Sequence, residues 1–166
     1  MKIAVKDANV LIDMAEADLL GLWFSLAIPT HTTDLVLDEV EQTGQRSQIV
    51  PFVSDNQLHI HSVTSADMIK TAILANDHGI SPADASALLL SKRLKAVLLT
   101  GDGRLRKVAS LQTVEVRGVL WVFDHLVEKG LLSSHDAARR LKHLRSAGSF
   151  LPADQCDERI ANWVKR

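Results

Sequence analysis

Twice in this chain a short apolar run ends in an aspartate that opens a helix. The first run is Ile3-Ala4-Val5, followed by Lys6 and Asp7, then by a helical spacing of Val10, Leu11, Met14, Ala15 and Leu19. The second is Lys95-Ala96-Val97-Leu98-Leu99, followed by Thr100-Gly101-Asp102-Gly103 and a helix over about 103–110. Such runs read as buried strands, and strands that hand over to helices build parallel sheets. The strand ends then share one edge, where the ligand sites of open α/β folds gather. Either aspartate alone is accounted for as a helix cap, its side-chain oxygen accepting a backbone N–H. The recurrence raises the question of whether other carboxylates converge on the same edge.

The remaining chain keeps alternating. The apolar stretch 22–28 ends the first helix and leads into a short strand near 27–31. Thr32 or Thr33 caps a helix that runs to about Glu41 and stops near Gly44. Residues 44–57 read as polar and turn-like. Leu58 to Val63 alternates as a strand, with His59 and His61 on one face and no third metal ligand evident nearby, so both read as surface residues. A helix over 65–76 is expected to turn Ala66, Ile69, Ile73 and Leu74 inward. A second, apolar almost all round, starts behind Ser81-Pro82. A strand at 114–116 precedes helices at 119–128 and 133–147. The 133–147 helix carries the apolar stripe Ala137, Ala138, Leu141 and Leu144, and is otherwise basic. Pro152 precedes a last helix with Ile160, Trp163 and Val164 inward, packed on the core or on a second subunit. The pattern predicts an α/β fold with a mostly parallel sheet and extra C-terminal helices, in one domain over 1–166.

Composition narrows the function classes. A hydrophobic share of 46% supports a core. A single cysteine, Cys156, excludes an internal disulfide and a cysteine metal cage, and reads as an inert, partly buried residue. No apolar run approaches the ~20 residues of a membrane span, and no signal-peptide pattern is visible, so a cytoplasmic protein is expected. The net charge of −1 hides an asymmetry. Residues 1–91 hold 4 Lys and Arg against 12 Asp and Glu, whereas residues 92–166 hold 15 against 8. An acidic site beside a basic surface would produce this, as would charges that mix once folded.

Two further acids stand out. On the helix before Glu41, Leu35, Val36, Leu37 and Val40 define an apolar arc. Asp34, Asp38 and Glu41 fall opposite it as solvated charges, but Glu39 falls inside it. A carboxylate pointing inward needs a partner or a cation. In Ser81-Pro82-Ala83-Asp84, Ser81 is a good cap, and the helix N-terminus favours charge on Asp84, holding it ionised. Four carboxylates brought together repel unless a cation neutralises them. Oxygen-only donors select Mg²⁺ or Mn²⁺.

Lys6-Asp7-Ala8-Asn9-Val10-Leu11-Ile12-Asp13, the inward Glu39, Ser81-Pro82-Ala83-Asp84-Ala85 and Leu99-Thr100-Gly101-Asp102-Gly103-Arg104-Leu105 stand in the order and rough spacing of the PIN-domain family, which the chain resembles over about 1–122. The helical part at about 119–166 looks like that of a PIN subgroup. The resemblance implies a three-layer α/β/α fold and a metal-dependent ribonuclease, many members being VapC-type toxins of toxin–antitoxin pairs. By that likeness Asp7, Glu39, Asp84 and Asp102 are the catalytic and metal-binding acids for Mg²⁺ or Mn²⁺, and Asn9 and Thr100 support them. Ala8 departs from the hydroxyl residue common at its position. RNA is the implied substrate, with Arg104, Arg106, Lys107, Arg139 and Arg140 as phosphate contacts. An antitoxin protein and a second copy of the chain are the implied partners. The competing readings are a non-catalytic RNA- or protein-binding module and a Mg²⁺-dependent phosphatase. Asn9 counts against the phosphatase, since those enzymes usually begin Asp-x-Asp.

Overall fold

A computed structural model describes residues 4–41 and 44–166. Among them, five strands form one all-parallel sheet in the order β3-β2-β1-β4-β5. The strands are β1 (Ala4–Lys6), β2 (Thr30–Thr33), β3 (Leu58–His61), β4 (Val97–Leu99) and β5 (Val116–Arg117). Ile3, expected in the first strand, lies outside the described residues. Ala4 pairs with Thr30 on one side and with Val97 on the other, so β1 is central. The order reverses there: β2 and β3 run out to one edge, β4 and β5 to the other. The fold is α/β, as the alternation predicted.

Helices cover both faces. Thr30 and Thr33 have opposite side-chain directions because strand residues alternate. Trp23 Nε1 on α2 (Leu20–Ser25) donates to Thr30 Oγ1 at 2.9 Å on one face. The Thr33 hydroxyl meets Ser86 Oγ of α6 (Pro82–Leu94) at 2.7 Å on the other. The first predicted helix is in fact two, α1 (Ala8–Glu16) and α2, broken at Asp18, whose φ is +53°. Thr33 caps α3 (Asp34–Glu41), its Oγ1 accepting from the Val36 amide.

Three sequence readings need correction. The turn-like stretch contains α4 (Arg46–Ser54), which includes Pro51 and buries Ile49. Asp34 is more than a solvated charge, since its Oδ1 accepts from the Leu35 amide at 2.9 Å and from the Val63 amide at 3.2 Å, tying α3 to the end of β3. The helix α5 (Ser65–His78) buries Thr71 and Ala75 and leaves Ile69 and Ile73 exposed at 65% and 56%. Its small residues allow close approach to α6, so the larger apolar side chains face outward.

Behind β4 come α7 (Gly103–Leu111), then α8 (Val119–Glu128), α9 (Ser134–Ser146) and α10 (Ala153–Val164). The stripe of α9 is buried as predicted. Its basic face is partly used within the fold. Arg140 donates to the Ala17 and Asp18 carbonyls, and His143 Nε2 lies 2.9 Å from Glu16 Oε1. The helix α10 is clamped to α8 by Arg159, bound to both carboxylate oxygens of Asp124, and by Trp163 against Phe123 at 6.0 Å. Val164, expected inward, is 64% exposed, and Cys156 is buried and free. No helix among the described residues is long and apolar enough to cross a membrane.

Candidate active site

Asp7 and Asp102 follow β1 and β4, the adjacent strands on either side of the point where the sheet order reverses. In open α/β sheets this crevice is where ligands bind. Both aspartates are also caps: Asp7 Oδ1 accepts from the Val10 amide at 2.9 Å, and Asp102 Oδ1 from the Leu105 amide at 2.7 Å. Capping uses one oxygen of each carboxylate and fixes its direction. The other oxygen of Asp7, Oδ2, is buried and has no hydrogen-bond partner. A buried acceptor left unpaired is costly, and a cation would relieve it.

The α6 N-terminus brings in Asp84. Ser81 Oγ accepts from the Asp84 amide at 3.0 Å, while Pro82 opens the helix. Burial pushes the Asp7 carboxyl up to about 7, and the nearby charges of Asp84 and Asp102 push the same way. Asp84 is raised to about 6, by burial first and then by Glu39 and Asp102. The helix N-terminus does not keep Asp84 as readily ionised as expected, because burial and two like charges outweigh it. Glu39, half-buried on α3, is also raised by burial, with the Ser81 hydroxyl pulling the other way. Charge repulsion thus links Asp7, Asp84 and Asp102 to one another, and Glu39 to Asp84.

Supporting groups differ from the expected pair. Thr100 Oγ1 accepts from the Asp102 amide at 3.0 Å, shaping the turn, and its hydroxyl pulls the Asp7 carboxyl downward. Asn9 is exposed and makes no hydrogen bond to the acids. Ser81, read from the sequence only as a cap, also faces Glu39 and Asp84. Gly118, which leads into α8, also borders Arg106. A Cβ there would stand 2.6 Å from Arg106 Nη2, so a side chain at this position would make the end of the Arg106 side chain shift. Of the other predicted phosphate contacts, Arg104 donates to the Gly79 carbonyl and Lys107 is exposed. Arg139 pairs with Asp136, and Arg140 is bound to the α1–α2 junction.

Lys6 is unusual. It is fully buried, its Nζ has no hydrogen-bond partner, and it lies 3.7 Å from the Trp23 ring centroid. Burial holds its amine well below the ordinary lysine range, with Asp7 offsetting only in part. His31 also went unremarked in the sequence. The parallel register places it beside His59, and its Nδ1 lies 2.9 Å from His61 Nε2. Burial and the other two rings hold His31 at about 4.

The oxygen-only donors, their mutual repulsion and the orphaned Asp7 Oδ2 fit a hard divalent cation. Among the described residues, though, no three carboxylate, imidazole or thiol groups are already gathered to hold an ion.

Fold and site together define an α/β protein with an aspartate after each of the two strands that flank the switch point of a parallel sheet. A family model described as a PIN domain (DUF3368) matches residues 3–165, and the chain belongs to this family, whose fold is of the nuclease type. The fold is similar to that in the crystal structure of PAE2754 from Pyrobaculum aerophilum. The TM-score is 0.58 at 14% identity, with 76% of this chain and 90% of that chain covered. No curated protein sequence matches the chain.

Proposed function

We propose that the chain is a Mg²⁺- or Mn²⁺-dependent endoribonuclease of the cytoplasm. The observation that carries this reading is the mutual repulsion of Asp7, Asp84 and Asp102, with Glu39 acting on Asp84, beside a buried carboxylate oxygen of Asp7 left unpartnered. The four acids would hold the cation. When bound, it supplies Lewis-acid activation of water and of the scissile phosphate. The chain does the positioning. The Val10 and Leu105 amides fix Asp7 and Asp102, and the Thr100 and Ser81 hydroxyls sit between neighbouring acids. Arg106 stands at the rim for a phosphate.

Family membership and the basic second half of the chain support an RNA substrate. Toxin and RNA-processing nuclease are both roles of such an enzyme. An antitoxin protein and a second copy of the chain are proposed as partners. One observation favours a non-catalytic module instead, namely the lack of a preassembled three-ligand cage among the described residues. The test is cleavage of a fluorescent RNA in Mg²⁺, Mn²⁺ and EDTA by wild type and Asp102→Asn. EDTA-sensitive cleavage that falls at least a hundredfold in the folded variant, roughly what loss of one electrostatic stabiliser costs, is expected. Full activity in Asp102→Asn would sink the assignment.

A further inference from the structure

We propose that Phe150 is a stacking platform for a nucleobase of single-stranded RNA, held beside the acidic cleft by a tethered loop. The substrate class rests on the nuclease reading above. Single exposed apolar residues are common on protein surfaces and call for no explanation. This one differs in how it is held and where it stands.

Phe150 is 99% exposed, in the 147–152 connection between α9 and α10. Its neighbours are fixed. Gly148, at φ +91°, turns the chain out of α9. Ser149 Oγ donates to Asp13 Oδ1 at 2.8 Å, fastening the loop to α1, the helix that Asp7 caps. Leu151 packs on the core and Pro152 opens α10. The ring is thus presented outward between two anchors. This also gives a role to Asp13, the last residue of the opening motif, which the metal reading leaves unused.

The ring also stands between two hollows. One, of about 310 Å³, is lined by Asn9, Asp13 and Ser149, among others. The other, of about 430 Å³, is lined by Arg106, Arg117, Arg159 and Asp124, among others. Phe150 and Gly101 belong to both linings, and Gly101 adjoins Asp102. A strand crossing this ridge would lay a base on the ring and bring a phosphate to Arg106, since Arg159 is held by Asp124 and Arg117 by Glu115. Aromatic stacking of this kind accepts any base and requires it to be unpaired, so it selects single strands over duplex. The occupant is set by the nuclease reading, because Gly101, shared by both hollows, adjoins Asp102.

The test measures binding of a labelled single-stranded oligoribonucleotide in the Asp102→Asn background, which separates binding from cleavage. Phe150→Ala should weaken binding roughly tenfold or more, Phe150→Leu should behave like alanine, and Phe150→Trp should restore wild-type affinity. Ser149→Ala should weaken it less than Phe150→Ala. A 2-aminopurine placed along the strand should be quenched at one position and released in Phe150→Ala. Thermal melts should stay unchanged, because the ring is outside the core. Unaltered affinity in Phe150→Ala, leucine performing as well as tryptophan, an equal loss on duplex RNA, or no binding by the parent overturns the proposal. Unaltered affinity would assign the ring to a protein surface instead. A wild type that binds through Phe150 but never cleaves would sink the nuclease reading and leave this one standing. A cleaving wild type whose KM ignores Phe150 would do the reverse.

Discussion

At the scale of single residues, the site is a balance between burial and charge. Asp7 titrates near 7 when folded, against an ordinary value of 3.8. Between those values the folded chain holds a proton that the unfolded chain has lost, so this group's contribution to stability falls as pH rises through the window. Asp7→Asn removes the ionisation. In EDTA at pH 7.5 the variant should be more stable than wild type by an order of a few kcal/mol, and the difference should vanish towards pH 4. Denaturant melts across pH measure it, and equal stability at pH 7.5 would contradict it. Lys6 acts in the opposite sense, its lowered amine adding stability as pH rises towards its unfolded value. A second expectation concerns Lys6 itself. An unpaired buried cation costs several kcal/mol, and a desolvated ring contact such as that with Trp23 returns roughly 2. Lys6→Met, similar in length and apolar, should keep or raise the melting temperature. A loss above about 1 kcal/mol would show that the amine has a charged partner in solution.

At the scale of elements, periodicity was a good guide to where helices run and a poor one to which side they bury. On α9 the stripe of Ala137, Ala138, Leu141 and Leu144 was legible because basic residues fill the rest of the helix. On α5 the apolar residues Ala66, Ile69 and Ile73 do share a face, but Thr71 and Ala75 make the contact with α6. A tight helix pair selects small residues, and a hydrophobic pattern does not reveal that. Ile69→Lys and Ile73→Lys should each change stability by no more than about 0.5 kcal/mol in urea unfolding, as exposed substitutions do. A loss of several kcal/mol would mean that this face is covered in solution. The helix α4 was missed because Pro51 and polar neighbours outweighed the helical spacing of Ile49, Phe52 and Val53. The acids were legible for the opposite reason. A strand end fixes Asp7 and Asp102, and a cap with Pro82 fixes Asp84, so their places follow from short local signals. The positions of Gly118, His31 and the Ser149–Asp13 tether depend on segments far apart in sequence, and only the folded chain brings these together.

At the scale of the whole molecule, the uneven charge of the two halves is partly neutralised by folding. Arg140 reaches Asp18 and His143 reaches Glu16, joining the basic C-terminal region to the acidic first half. What remains separate is functional in outline. Asp7, Glu39 and Asp84 come from the first half and Asp102 from the second, and folding brings Asp7, Asp84 and Asp102 within electrostatic reach of one another. The most direct test of this account is a calorimetric Mn²⁺ titration of wild type and Asp7→Asn at pH 7.5, with RNA cleavage followed in the same buffer. Saturable binding by wild type, lost in the variant together with EDTA-sensitive cleavage, is the predicted result. Equal Mn²⁺ binding by both proteins, or none by either, would mean that the carboxylates serve only as caps and surface charges.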